Sequence, residues 1–218
     1  MDVLKNFKSI DNNVQRISNS LSLKKPTIIA VSKSFNINQI LPIIDIGHEH
    51  FGENKVQEAK FKWKDIVIKN SNIKLHMLGK LQSNKADEAI NIFNYIHSLD
   101  SEKLAMKLCE AEKKFNKRLK YFIQVNISEE PQKSGIQKNE IFQFLKYSKI
   151  ELKLDIIGLM CLPKINENPT EYFVKLHTMA QELNLKELSM GMSHDYIEAI
   201  KSSSSFIRIG SAIFGERV

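Results

Sequence analysis

Thr27-Ile28-Ile29-Ala30-Val31-Ser32-Lys33 decides how this chain is read. Five residues suited to burial follow the breaker Lys25-Pro26 and run straight into a hydroxyl and an amine. A short apolar run rich in β-branched residues, with no polar alternation, fits a strand covered on both faces, as in a parallel sheet. Upstream, Val3, Leu4, Phe7, Ile10, Val14 and Ile17 recur at helical spacing and predict a helix over residues 2–19.

Downstream the pattern repeats. Helices are predicted over 36–46 (ended by Gly47), 54–68, 83–93, 101–115, 137–148, 169–183 and 193–202. Between them fall strands at 50–52, 75–78, 95–98, 121–125, 155–159, 187–189 and 206–209, of which 187–189 is the weakest. Eight strands alternating with helices, at roughly 27 residues per unit, predict a single α/β domain over 1–218. It is expected to be a (β/α)₈ TIM barrel over 27–218 with an extra N-terminal helix in 1–20, and an open doubly wound sheet is the alternative.

Composition narrows the function. The 218 residues are 42% hydrophobic and 26% charged, ordinary for a globular protein. No apolar run reaches the ~20 residues of a membrane span, and Met1 to Ser20 lacks the zones of a signal peptide. The expected location is therefore the cytoplasm, with no membrane partner. The formal charge of +7 comes from 32 Lys+Arg against 25 Asp+Glu. The lysines are scattered and mixed with acids, as Lys113, Lys114, Lys117 and Lys120 are with Glu110 and Glu112, so they read as solvated surface and no nucleic-acid partner is expected. Cys109 and Cys161 fit no metal spacing and read as buried thiols, with a place in the pocket wall as the lesser alternative for Cys161.

In a barrel, chemistry gathers at the C-terminal ends of the strands. Lys33 stands at the first such end. Side chains alternate along a strand, so Ile29, Val31 and Lys33 share a face. If that face is the interior, an amine is placed at the barrel mouth, where desolvation makes it a usable nucleophile for a Schiff base. Equally, Lys33 could begin a loop and reach into water. Gly191 and Ser193 precede a helix, and Gly210-Ser211 follow the last strand; loops after strands 7 and 8 are where barrels commonly bind phosphate. Ser193 alone could instead be an N-cap, with Asp195 helping in the first turn. Arg208 lies two residues before Gly210, on the same face, and needs a partner there: a cofactor atom or a carboxylate.

Taken together, Ala30-Val31-Ser32-Lys33, Phe51-Gly52-Glu53-Asn54, Leu81-Gln82 with Asn84-Lys85, Gly158-Leu159-Met160, Leu188-Ser189-Met190-Gly191-Met192-Ser193 and Arg208-Ile209-Gly210-Ser211 resemble the YggS/PROSC family of pyridoxal phosphate (PLP) homeostasis proteins. The resemblance implies a barrel like the N-terminal domain of alanine racemase, with PLP as cofactor. It implies a Schiff base at Lys33, phosphate binding at Ser193, Gly210 and Ser211, and Arg208 against the pyridine nitrogen. Asn54 and Met160 fall in family segments and are expected to line the pocket; no catalytic or metal-binding residues are implied. The implied role is to buffer PLP and deliver it to PLP-dependent apo-enzymes as a monomer, without robust turnover. An amino-acid racemase is the alternative, for which Tyr196 or His76 would be the first candidates as a second acid. The chain departs from the family at His194, where an acid is usual, at Lys80, at Ser203-Ser204, where a glycine is frequent, and at Cys161, where threonine is common.

Overall fold

The computed structural model describes residues 2–130 and 132–216. Its eight strands are β1 (Thr27–Val31), β2 (His50–Glu53), β3 (Lys74–Met77), β4 (Tyr95–Leu99), β5 (Lys120–Gln124), β6 (Asp155–Met160), β7 (Glu187–Met192) and β8 (Phe206–Ile209). They pair in sequence order and close into a barrel. Closure is the parallel pairing of β1 with β8, in which Ile29 stands opposite Arg208 and Ala30 opposite Ile209. The helices are α1 (Val3–Ser20), α2 (Ile37–Asp45), α3 (Val56–Lys69), α4 (Ala86–Ile92), α5 (Glu102–Phe115), α6 (Ile141–Lys146), α7 (Pro169–Glu182), α8 (Tyr196–Lys201) and α9 (Ser211–Phe214).

Local sequence explains most boundaries. Asn36 and Gln39 form a reciprocal capping box at the start of α2, and Ser101 caps α5 by accepting from the Leu104 N–H. Gly47, at φ +86°, closes the turn after α2 through its N–H to the Ile44 carbonyl. Four expectations shift. α6 covers only Ile141–Lys146 before one wider π-helical turn, Tyr147–Glu151. A 3₁₀ turn, Ser83–Lys85, precedes α4. β7 runs on to Met192, past a register shift and a left-handed Gly191 (φ +92°). A Cβ at Gly191 would lie 2.5 Å from that of Ala199, so only glycine fits. Last, α8 starts at Tyr196 rather than at Ser193, because the Asp195 carboxylate accepts from the Met192 N–H and holds residues 192–195 in a turn.

Alternation along the strands divides the core. Ile28, Ala30, Tyr121, Ile123, Ile207 and Ile209 face outward and pack against the helices in the main cluster. Ile29, Phe122, Met160 and Phe206 face inward and pack together in the barrel. The interior is not wholly apolar: His76, His97, Ser189 and Arg208 are buried too. No described helix is long and apolar enough to cross a membrane.

Candidate cofactor site

A cleft of about 600 Å³ opens where β1, β7 and β8 end. Lys33, Asn54, Ser193, Arg208, Gly210 and Ser211 all line it, so residues up to 178 positions apart in sequence meet there. Val31, Phe35, Leu78, Leu162 and Met192 supply apolar wall. Met160 lies elsewhere: it packs with Ile29, Phe122 and Phe206 inside the barrel and is not among the cleft's lining residues.

Lys33 is half-buried and held between two fixed residues. The Ser32 N–H donates to the Gly52 carbonyl (3.0 Å), and its hydroxyl donates to Glu53 Oε1 (2.7 Å). Ser34 adopts a left-handed conformation at φ +68°, and its N–H donates to Glu58 Oε1 (2.6 Å). Lys62 ties these together, donating to the Ser32 carbonyl (2.8 Å), Glu53 Oε1 (3.0 Å) and Glu58 Oε1 (2.9 Å). Trp63 Nε1 adds a third contact to Glu53 Oε1 (2.9 Å). Burial pushes the Glu53 carboxyl above its usual range, and the Lys62 charge opposes that. Ser32 and Glu53 stand out in the sequence as strand-end residues, but their linkage through Lys62 and Trp63 is not legible in it, although Glu58 and Lys62 stand four apart on a predicted helix.

Ser193 is not an N-cap. Its Oγ accepts from the backbone N–H of Gly210 (3.2 Å) and of Ala212 (3.3 Å), across from β7 to the segment after β8. The N-cap reading is corrected, since Asp195 holds that position, and the Ser193 hydroxyl marks a point on which two backbone donors converge.

Among the described residues Arg208 has no carboxylate as a hydrogen-bond partner. It is 5% exposed, and Nη1 donates to the Ser189 carbonyl (2.6 Å) and the Ser189 Oγ (2.7 Å), while Nη2 donates to the Cys161 carbonyl (2.9 Å). Burial lowers the Arg208 pKa from its usual value, and the nearby Asp195 charge works the other way. Cys161 is fully buried, and burial pushes its thiol up to about 12. Its thiol is unreactive at neutral pH. What it gives the site is its backbone carbonyl.

Two candidates for a second acid lie away from the cleft. The Tyr196 hydroxyl accepts from Asn13 Nδ2 (2.7 Å) on α1, and His76 is fully buried inside the barrel. His194 does line the cleft, with a side chain 72% exposed.

The closed eight-stranded parallel barrel is the fold of the alanine racemase N-terminal domain. The profile of that family, "Alanine racemase, N-terminal domain", matches residues 6–218. Within this class the chain belongs to the pyridoxal phosphate homeostasis protein family. It is 33% identical over 229 residues to the pyridoxal phosphate homeostasis protein of Pasteurella multocida, covering 100% of this chain and 98% of that one. It is 34% identical over 205 residues to the Escherichia coli K12 protein of the same name, covering 88% and 86%. Among solved structures, PipY of Synechococcus elongatus PCC7942, determined with PLP bound, superposes with a TM-score of 0.87 at 30% identity, covering 98% of this chain and 100% of that one. The alanine racemase of Corynebacterium glutamicum, at 15% identity and a TM-score of 0.69, shares the fold; this chain spans 61% of it.

Proposed function

We propose that the cleft binds pyridoxal 5′-phosphate covalently through Lys33, and that the protein buffers this cofactor and passes it to apo-enzymes. The observation that carries this reading is the meeting of Lys33, Arg208, Ser193, Gly210 and Ser211 in one cleft with apolar walls. The donor set fits the group. Backbone amides and hydroxyls suit a phosphate, an amine suits an aldehyde, and flat apolar walls suit an aromatic ring. When bound, the cofactor supplies an aldehyde that amines capture reversibly, together with an electron-withdrawing ring. Ser193, Ser211 and the N–H groups of Gly210 and Ala212 would hold the phosphate. Arg208 would face the pyridine nitrogen, where its positive charge disfavours ring protonation. Asn54 would lie along the wall. Met160, in the barrel floor, would support Ile29 and Phe206 rather than touch the ligand.

The same reading assigns the protein no robust turnover, a cytoplasmic location, and a working unit of one domain acting as a monomer. Racemisation needs proton donors on opposed faces of one carbon. Lys33 serves one face, and Tyr196 and His76 are turned away from the cleft. His194 remains as the ionisable group to vary first.

Spectroscopy and mass spectrometry test the binding claim. The purified protein with added PLP should be yellow, and borohydride reduction should place the adduct on Lys33. Lys33→Ala should abolish both signals, whereas an adduct mainly on Lys80 or Lys85 would overturn the assignment. Chiral chromatography after incubation with alanine or serine should show only trace inversion, and an apo-enzyme mixed with the loaded protein should gain activity. Inversion near 1 s⁻¹, within the ordinary enzyme range, would establish an enzyme instead.

A further inference from the structure

The interior of the barrel contains a row of hydrogen bonds that the cleft alone does not require. From Arg208 it runs to Ser189 Oγ (2.7 Å), then to His97 Nδ1 (2.8 Å). His97 Nε2 meets His76 Nδ1 (2.9 Å), and His76 Nε2 meets His50 Nδ1 (2.9 Å). Three imidazoles and a hydroxyl thus link the underside of the cleft to the opposite mouth of the barrel, where His50 is half-buried. Aromatic rings clamp the row: Tyr95 stacks on His76 at 4.3 Å, Phe122 stacks on His97 at 4.3 Å, and Phe206 lies edge-on to His97 at 6.1 Å.

Counting protons gives the row a direction. A guanidinium can only donate, so Ser189 Oγ accepts from Arg208. The hydroxyl has one proton, and its other partner is His97 Nδ1. If His97 Nδ1 also carried a proton, the Ser189 proton would be buried with no acceptor, at the cost of a lost hydrogen bond. Ser189 therefore donates to His97 Nδ1. A neutral His97 then bears its proton on Nε2 and donates to His76 Nδ1, and His76 in turn donates from Nε2 to His50 Nδ1.

We infer that Ser189, His97, His76 and His50 form a polarised relay in which all three imidazoles are neutral Nε2–H tautomers, and that this relay positions Arg208 beneath the cleft. It rests on the functional reading above only for what Arg208 faces. Three of the five guanidinium N–H groups are spent on Ser189 and Cys161, which leaves Nε–H and one Nη2–H for a ligand. Because those partners are carbonyls and a hydroxyl rather than a carboxylate, the guanidinium keeps its full charge towards the cleft. Burial, helped by the surrounding charges, holds the imidazoles neutral. Burial acts first on His97, then Arg208; burial acts first on His76, then its histidine neighbours. At the outer end burial lowers the His50 pKa, Lys74 adds to this, and Glu49 opposes it. Charging any ring would make both its nitrogens donors and force a neighbour to reverse.

Long-range ¹H–¹⁵N correlation spectra of ¹⁵N-histidine-labelled protein read tautomer and charge directly, without any substitution. Expected are neutral Nε2–H signals for His50, His76 and His97 at pH 7.5, with His76 and His97 unchanged down to pH 6. An Nδ1–H tautomer or an imidazolium at His97 or His76 in that range would overturn the relay. The positioning role is tested by His97→Phe, which keeps the stacked ring but removes the acceptor, beside His97→Asn, whose Oδ1 can accept from Ser189. PLP affinity by equilibrium dialysis should fall at least fivefold in His97→Phe and return to within twofold in His97→Asn. Unchanged affinity in a folded His97→Phe protein would overturn that role. If His97→Phe does not fold, Ser189→Ala is measured in its place, with the same fivefold threshold. Wild-type protein that retains no PLP would refute the cofactor reading and with it the positioning claim, while the tautomers still decide the relay.

Discussion

Ser203 shows how much one backbone angle can decide. It sits at φ +64°, between α8 and β8. A side chain in that region costs roughly 1–2 kcal/mol, part of which glycine returns through its freer unfolded chain. Ser203→Gly should therefore stabilise the protein by about 0.5 kcal/mol, a rise of about 1–2 °C in Tm by calorimetry. An unchanged or lower Tm would mean that the angle carries no strain. Its neighbours do other work: the Ser204 hydroxyl donates to the Met190 carbonyl (2.8 Å), and the Leu188 N–H donates to Ser205 Oγ (2.7 Å), knitting β7 to the entry of β8. At this scale the sequence was partly legible. Lys33 could be placed because strand alternation is local. Arg208 could be recognised as needing a partner, but its partners, Ser189 and Cys161, lie 19 and 47 residues away, and no spacing rule reaches that far.

At the scale of elements, α3 is the brace behind the lysine. Glu58, Lys62 and Trp63 project from it onto the ends of β1 and β2. Glu53 is fully buried, and Lys62 is the cation that compensates it. Lys62→Met should cost about 3–5 kcal/mol, since removing one partner strands a buried charge. The sign of its pH dependence follows. Burial already raises the Glu53 pKa, and loss of Lys62 raises it further, so protonation relieves the penalty and the loss should be smaller at pH 5 than at pH 8. Adding Glu53→Gln should recover most of the stability. Urea midpoints at the two pH values check this, and equal losses at both would remove Glu53 from the account. The elements themselves were the most legible level, because buried parallel strands announce themselves as short apolar runs such as Tyr121-Phe122-Ile123. α9 was missed because Ser211-Ala212-Ile213-Phe214 is too short to show a period. The far half of β7 was missed because Gly191 reads as a break, whereas here it lets a bulged strand pass close to Ala199.

For the whole molecule, the histidines set the response to acid. Burial lowers the pKa of His48 from 6.5 to about 4, and it lowers those of His50, His76 and His97 as well. A base whose folded pKa is depressed stabilises the fold above its unfolded pKa and loses that contribution as pH falls. The window therefore opens near 6.5 and, for His48, closes near 4. Each pH unit inside it is worth up to about 1.4 kcal/mol per histidine, so His48 alone accounts for at most ~3 kcal/mol. Glu53 and Asp100 act in the opposite sense, since a carboxyl pKa raised by burial favours the fold as pH drops towards the unfolded value, but they are two groups against four. Stability should thus be level above pH 7 and fall from about 6.5 downwards, well before most carboxylates titrate. Urea midpoints at pH 7.5, 6.5, 5.5 and 4.5 measure the curve. His97→Phe should make it shallower by about one proton's worth of slope, because the substituted chain has one imidazole fewer to charge on unfolding. A midpoint that stayed constant from pH 7.5 to 5 would mean that the barrel interior admits protons without opening, and that its histidines are not held neutral by burial.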